Sequence, residues 1–482
     1  MAVATALAAA LAATPSTTQP LPAPAPLVSD WQYLKSGVTP PTEGDCFSAG
    51  RRCFTPSAIQ ASYDVGPLHA SGFTGKGETI AIFDSFGYDQ VASDLKVFSQ
   101  QFGLPLMCGM PDVPCSSGTP TFRHIEYNGN SQVKAPPPDS NGTGQQQRNL
   151  WALEVALDVQ SAHAIAPGAN ILLVTTNPAE TLGVQGFTTL MNAEQYVIDN
   201  NMADVISQSF GAGEESFTGG TAALQNLRHA FQSAAANKVT VFASSGDGGS
   251  TNSYKEPVKN PKPIPFPSVI WPASDPLVVS VGGTYLCTNP ATGTGVDSTD
   301  PPAACRSNPG VREVGWIDSG GGFSHVFPKP SYQNTLPAGS TPIGSTRGVP
   351  DVGYNASATT GVYVYDTSPA DASGGLVCPT GDPCSSGWYV VGGTSASSPQ
   401  WAALTAIGAQ IAGHRLGDIH QALYGLANSP QYATDFYDVT TGNNTTSDIP
   451  GYPATEGWDP VTGLGTPVNS AALLPALAAA AG

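Results

Sequence analysis

VTVFASSGDGG, residues 239–249, gathers β-branched and aromatic residues into one short run and then stops in small polar residues and glycine. A buried strand that ends in a sharp turn has this composition. The pattern recurs outward in both directions, in ETIAIFDS at 78–85, ANILLVTT at 169–176, DVISQSFG at 204–211 and LVVSVGGT at 277–284. Helical spacing of apolar residues fills the gaps between and beyond them, at 145–163, 182–201, 219–237 and 397–412. Apolar strands alternating with helices specify an α/β fold, a mostly parallel sheet with helices on both faces. GVYVYD at 361–366 and GWYVVGG at 387–393 read as a later pair of strands. In such sheets the chemistry gathers at the carboxyl ends of the strands, where SSGDGG, SQSFGAGE and the loop before GGTSAS project.

Only 11% of the 482 residues are charged, and 36 acidic against 18 basic residues leave a formal charge of -18. Such a surface repels phosphate backbones, so nucleic acid is not an expected partner. It suits acid solution, where protonation lowers the net charge. The eight cysteines fall into four local couples: Cys46 with Cys53, Cys108 with Cys115, Cys287 with Cys305 and Cys378 with Cys384. Eight cysteines can pair in many ways, and neighbour pairing would close four short loops. Disulfides of that kind belong to an oxidising, extracellular compartment.

The opening stretch, MAVATALAAALAATPSTTQPLPAPAPLV, holds a short apolar run without a preceding Lys or Arg, then a Pro-Ala tract. It reads either as an incomplete secretory signal or as a low-complexity tail. Residues 1–53 are expected to be a disordered leader or propeptide remnant, and 54–482 the folded domain. No segment reaches transmembrane length, so no membrane partner is expected.

In VVGGTSASSPQWAAL, residues 390–404, the glycines let another backbone approach closely, and Ser398-Pro399 suits the first turn of a helix. Ser395 would stand where a loop enters that helix. As a nucleophile it needs a base, and none of the seven histidines lies in a His-Gly-Thr-His setting. LWALEVALDVQ, at 150–160, offers carboxylates instead, because Glu154 and Asp158 lie four residues apart on one helix face. Such a pair is ordinarily a solvated stripe, but its flanks here are apolar, and two desolvated carboxylates share a proton. Asp247 in ASSGDGG stands at the active edge, where an ordinary turn aspartate would also be found.

These residues and others carry a resemblance. GGTSASSP, the E-x-x-x-D pair in LEVALDVQ, SGDGG, VISQSFGAGE, PASDPLVVSVGGT, SGGGFSHVFPKPSYQ, RGVPDVGYNA and GWDPVTGLGTP are similar to the motifs of the sedolisins, the serine-carboxyl peptidases. The match spans roughly 54–470. It implies a subtilisin-like α/β fold and a secreted, acid-active peptidase. In that reading Ser395 is the nucleophile, Glu154 the general base, Asp158 its orienting partner, and Asp247 lies beside the oxyanion with the Ser395 N–H. It further implies a structural Ca2+ held by Asp438, Asp459 and the carbonyls of Val439, Thr455 and Gly457. Hard oxygen ligands on turn-rich backbone suit calcium, although aspartates there also cap turns.

The expected partners are protein or peptide substrates and a propeptide, and the expected working form is a monomer. Endopeptidase action is preferred over tripeptidyl release, though both occur in the resembling family. Asp84, at the end of AIFD, imitates the acid of a subtilisin triad but has no matching histidine, and reads as a structural residue. Phe210 and the SSGDGG variant depart from the family pattern and bear on the substrate wall. The competing class is a secreted binding or scaffold protein that keeps the fold without catalysis.

Overall fold

A computed structural model describes residues 25–28, 30–127, 145–176, 186–217, 221–252, 263–299, 301–368 and 386–481. A central sheet runs in the order Glu313–Gly315, Val279–Leu286, Thr240–Ser244, Val205–Gln208, Thr79–Ser85, Asn170–Thr176 and Phe122–Tyr127. Val352–Asn355 adds to Val279–Leu286. Every pairing is parallel except that of Glu313–Gly315 at one edge.

The pleat of Thr79–Ser85 explains why the core is divided in two. Side chains alternate along a strand, so Ile80 and Ile82 enter one apolar cluster while Ala81 and Phe83 enter another. The first cluster is closed by the helices Gln145–Ile165 and Thr394–Ala412. The second is closed by Gly186–Asp199 and His229–Ala236. Helices therefore cover both faces, as the alternation of patterns predicts. Residues 151–165 are buried on every side, which is why no amphipathic stripe marks that helix. Trp401, fully buried, stacks its ring on Phe242 at 6.4 Å and ties the Thr394–Ala412 helix to the sheet. Truncating such a side chain to alanine costs ~3–5 kcal/mol.

Several boundaries differ from the sequence reading. DVISQSFG divides at Ser209: Val205–Gln208 stays in the central sheet, whereas Phe210–Gly213 turns out to pair with Ile270–Trp271. The helical stretch at 219–237 is broken at Arg228, whose guanidinium grips Asp275 through bonds of 2.6 and 3.0 Å. The strands Val362–Asp366 and Gly387–Val391 are an antiparallel pair, completed as a separate three-stranded sheet by Trp31–Lys35.

That last strand corrects the expectation of disorder for residues 31–53, whereas residues 1–24 of the expected leader lie outside the described residues. Trp31–Lys35 is hydrogen-bonded sheet, Glu43–Ser48 is a helix closed by a Thr42 capping box, and Cys46 is bonded to Cys53. The pairing partner of Trp31–Lys35 lies about 350 residues away in the chain, so local composition carries no sign of it. Cys108–Cys115 and Cys287–Cys305 also pair as neighbours, and Cys378 and Cys384 lie outside the described residues. Among the described residues no helix is long and apolar enough to cross a membrane.

Candidate active site

Ser395 is the second residue of the helix Thr394–Ala412, entered through Gly393 at φ +121°. Because the helix starts at Thr394, Pro399 falls in its second turn rather than its first. The carbonyl left without its helical N–H is then that of Ser395 itself. The first N–H groups of the helix have no intrahelical acceptor, and the macrodipole concentrates positive potential there.

The helix Gln145–Ile165 packs against the Ser395 helix within the first core cluster. Glu154 and Asp158, one turn apart, are both fully buried, and so is Ser395. The Ser395 hydroxyl lies close enough to Glu154 to favour its charged form, short of full hydrogen-bond geometry. Oε2 of Glu154 accepts the Val28 N–H at 2.7 Å. Burial and then the neighbouring Asp84 hold the Glu154 carboxyl well above the usual carboxylate range, against the pull of Ser395 and Val28. Asp158 is raised for the same reasons, burial first, then Asp84 and Glu154, while the Ser209 hydroxyl favours its charge.

Asp84 is therefore part of this site. It follows Ile80 and Ile82 in the alternation of its strand, so its side chain leaves the sheet on the face covered by the Glu154 helix. It is fully buried, neither carboxyl oxygen has a hydrogen-bond partner among the described residues, and burial pushes it up to about 8. The sequence reading takes Asp84 as a structural residue apart from the site; the structure places it next to Glu154 and Asp158. Strand periodicity carries the signal that could have found it, once the helix on that face is known.

Asp247 lies in the turn after Thr240–Ser244 and faces the start of the Ser395 helix. Its Oδ1 accepts both the N–H and the hydroxyl of Thr394, each at 2.7 Å. The Thr394 hydroxyl in turn accepts the Gly246 N–H at 3.1 Å. A side chain added at Gly393 would put its Cβ 2.7 Å from Asp247 Oδ2, so only glycine lets the acid approach this closely. Thr394 and Ser209 are functional neighbours that the sequence reading did not single out. Every histidine is bonded to a group outside this constellation: His69 to Ile165, His124 to Thr175, His163 to Pro105, His229 to Asn226, His325 to Glu215, His414 to Arg415 and His420 to Asp418.

The expected calcium ligands gather in the C-terminal loops. Asp459 is fully buried and Asp438 is half-buried, and both act on the Tyr432 hydroxyl. Asp438 accepts the Gly457 N–H at 2.9 Å through one oxygen, and its other, buried oxygen has no partner among the described residues. Asp459 accepts the N–H groups of Val461, Thr462 and Thr455. Val439 is buried beside them. Among the described residues no three His, Cys, Asp or Glu side chains converge as a metal cluster, so an ion here would draw on two carboxylates and main-chain oxygens.

A subtilase-family profile matches residues 139–414. Kumamolisin of Bacillus sp. (strain MN-32) is 30% identical over 433 residues, covering 88% of this chain and 63% of the relative. Tripeptidyl-peptidase 1 of Homo sapiens is 31% identical over 355 residues, covering 69% of this chain and 53% of the relative. The chain thus spans between about half and two thirds of the length of these relatives. Among solved structures, Pseudomonas sedolisin complexed with two molecules of pseudo-iodotyrostatin superposes with a TM-score of 0.62 at 27% identity, covering 88% of this chain and 97% of that one. With the subtilisin-like fold, the profile match and these relatives together, the chain belongs to the sedolisin family of serine-carboxyl peptidases within the subtilases.

Proposed function

We propose that the protein is a secreted, acid-active serine-carboxyl peptidase that hydrolyses protein or peptide substrates through an acyl-enzyme on Ser395. The observation that carries this reading is the convergence of Ser395, Glu154, Asp158 and Asp84 in one buried site, with Asp247 at the head of the Ser395 helix and every histidine engaged elsewhere.

Ser395 Oγ attacks the scissile carbonyl carbon while Glu154 takes its proton. Three buried carboxyls cannot all ionise, so Asp158 and Asp84 share the protons behind Glu154. The remaining charge is favoured on Glu154, because Ser395 and the Val28 N–H both donate toward it. The oxyanion forms between the Ser395 N–H and Asp247. Since Oδ1 of Asp247 already accepts two hydrogen bonds, a proton on this acid sits on Oδ2 and can be donated to the oxyanion. Ionised, the same group repels it. The amine leaves with the proton from Glu154, and water then repeats the sequence on the ester. A histidine would be protonated at about pH 4, and Glu154 acts as base there in the molecules in which the charge left to the carboxyl cluster rests on it.

The loops around Asp438 and Asp459 suit a structural Ca2+, with the carbonyls of Val439, Thr455 and Gly457 completing the shell. The unpartnered Asp438 oxygen is what supports this assignment. Bound there, the ion would supply fixed positive charge that pins the C-terminal loops. The enzyme is proposed to act as a monomer, as an endopeptidase, and to meet a propeptide as a partner.

Digestion of a denatured protein across a range of pH tests the reading. Cleavage should peak below about pH 5, given the carboxyl reference range, and Ser395→Ala should lower kcat on the order of 10⁴-fold or more. A maximum above about pH 7, or no cleavage at any pH, would remove it in favour of a silent scaffold.

A further inference from the structure

The chain around Leu27 and Asp30 lies along the candidate active site as a peptide would, and so marks where residues on each side of a reacting bond fall. The Leu27 N–H donates to the Ser209 carbonyl at 3.2 Å, and the Val28 N–H donates to Glu154 Oε2 at 2.7 Å. Beyond the catalytic groups the Asp30 carbonyl accepts the Gly392 N–H at 3.1 Å, and Trp31 pairs with Val391. With the Leu27–Val28 bond beside the base, Asp30 stands at the third position on its amine side.

The Asp30 side chain meets a cation there. Arg51 Nη1 and Nη2 donate to its two carboxyl oxygens at 2.5 and 2.9 Å, and the arginine side chain is 14% exposed against 40% for the aspartate. A planar guanidinium matches a carboxylate in this two-bond geometry, which a neutral or cationic side chain does not reproduce. Arg51 does not owe its place to Asp30. It lies in the loop closed by Cys46–Cys53, and its own N–H donates to the Cys46 carbonyl at 2.9 Å. The Arg52 N–H donates to the Thr359 carbonyl at 2.9 Å and the Phe54 N–H to the Gly361 carbonyl at 2.8 Å, while the buried Arg52 guanidinium grips Asp297 at 2.7 and 3.0 Å. The cation is therefore presented to the groove by a scaffold that remains when another peptide takes the place of Asp30.

Asp318 lies near enough to Asp30 to feel its charge, and its carbonyl accepts the Gly249 N–H at 2.8 Å, two residues past Asp247. Burial and then Asp30 push the Asp318 carboxyl up to about 6. At about pH 4 it is neutral and does not repel an incoming carboxylate.

We propose that Arg51 is a specificity-determining residue of the peptidase, selecting substrates that carry an acidic residue at the third position after the scissile bond. This rests on the peptidase reading above and adds a substrate class to it, peptides that are acidic on the amine side of the cut. A free aspartate is about half ionised near pH 4, and the guanidinium draws it to the charged form. Because the pair is partly exposed, the selection is several-fold rather than absolute.

The test digests a mixed peptide library with the full chain at about pH 4 and reads the cut sites by mass spectrometry. A molecule that cuts an added peptide has moved its own segment out of the groove, so the profile reports the open site. Asp and Glu should be enriched at the third residue after the cut. In matched peptides drawn from the cut set, Asp should exceed Asn there by about 5-fold in kcat/KM. Arg51→Gln should abolish this ratio, Arg51→Lys should keep its sign at smaller size, and Arg51→Glu should favour Lys over Asp. Each ratio is read within one enzyme, so a loss of folded protein does not move it. A library cut without enrichment, or a ratio that Arg51→Gln leaves unchanged, overturns this inference and leaves the peptidase reading standing. A library left uncut at every pH removes both.

Discussion

Thr394 holds Asp247 through two hydrogen bonds to one carboxyl oxygen, from its backbone N–H and from its hydroxyl, each 2.7 Å long. If Asp247 is the oxyanion acid, as proposed, the residue before Ser395 thereby fixes which of its oxygens carries the proton. Thr394→Val keeps the shape and the N–H but removes the hydroxyl bond and the acceptor for Gly246. It should lower kcat by ~10–100-fold with little change in KM, and Thr394→Ser should restore most of it. An unchanged kcat in the valine variant would show that the backbone bond alone positions Asp247.

Asp84 reaches the chemistry through its neighbours, so its replacement should move a pH profile. Asp84→Asn removes the carboxyl that, after burial, most raises Glu154 and Asp158, and the acid limb of kcat should shift to lower pH. Stability reports the same group with a definite sign. A carboxyl held at about 8 in the fold is protonated there while ionised in the unfolded chain, so wild-type stability falls as pH rises from ~4 to ~8. Urea denaturation at points across that interval should show a shallower fall in the asparagine variant. Identical slopes and identical kcat profiles would return Asp84 to a passive role.

His420 behaves in the opposite sense. Burial alone would lower it, but Asp418 and Asp351 outweigh burial and raise it to about 9. Arg347 and His420 likewise hold Asp351 below the usual range despite its burial. A base raised in the fold contributes stability that is complete below its unfolded value near ~6.5 and is lost as pH rises through about 9. His420→Gln strips one partner from a buried charge network and should cost ~3 kcal/mol at about pH 5. By about pH 10, where wild-type His420 is neutral as well, the difference should have shrunk, as denaturant midpoints would record.

Chelation bears on the C-terminal loops separately from catalysis. If Asp438 and Asp459 hold Ca2+, dialysis against excess chelator should lower Tm, and readdition at ~100 times Kd should return about 2.7 kcal/mol. Asp438→Asn should abolish that response while leaving the Ser395 site assembled. A melting curve indifferent to chelator and to added Ca2+ would make the two aspartates turn caps.

The layers of this protein, and the spacing of the residues proposed to carry its chemistry, were legible in the sequence. Apolar strand runs ending in glycine turns, with apolar helices between them, are local patterns, and the parallel sheet covered on both faces follows from them. Glu154 and Asp158 were legible as one helix face, and Ser395 as a helix entry, because each depends on spacing within a few residues. Neighbour disulfides were legible for the same reason, and two of the three described ones close eight-residue stretches, Cys46–Cys53 and Cys108–Cys115. Tertiary structure alone decided what meets across elements. Asp84 joins Glu154 and Asp158 because strand pleat and helix packing coincide on one face, and Trp31–Lys35 becomes ordered only by pairing with Gly387–Val391. Those contacts close loops of tens to hundreds of residues. Their stability comes from burial and hydrogen bonds that exist only once the sheet and its helices are assembled, so no local run of residues can announce them.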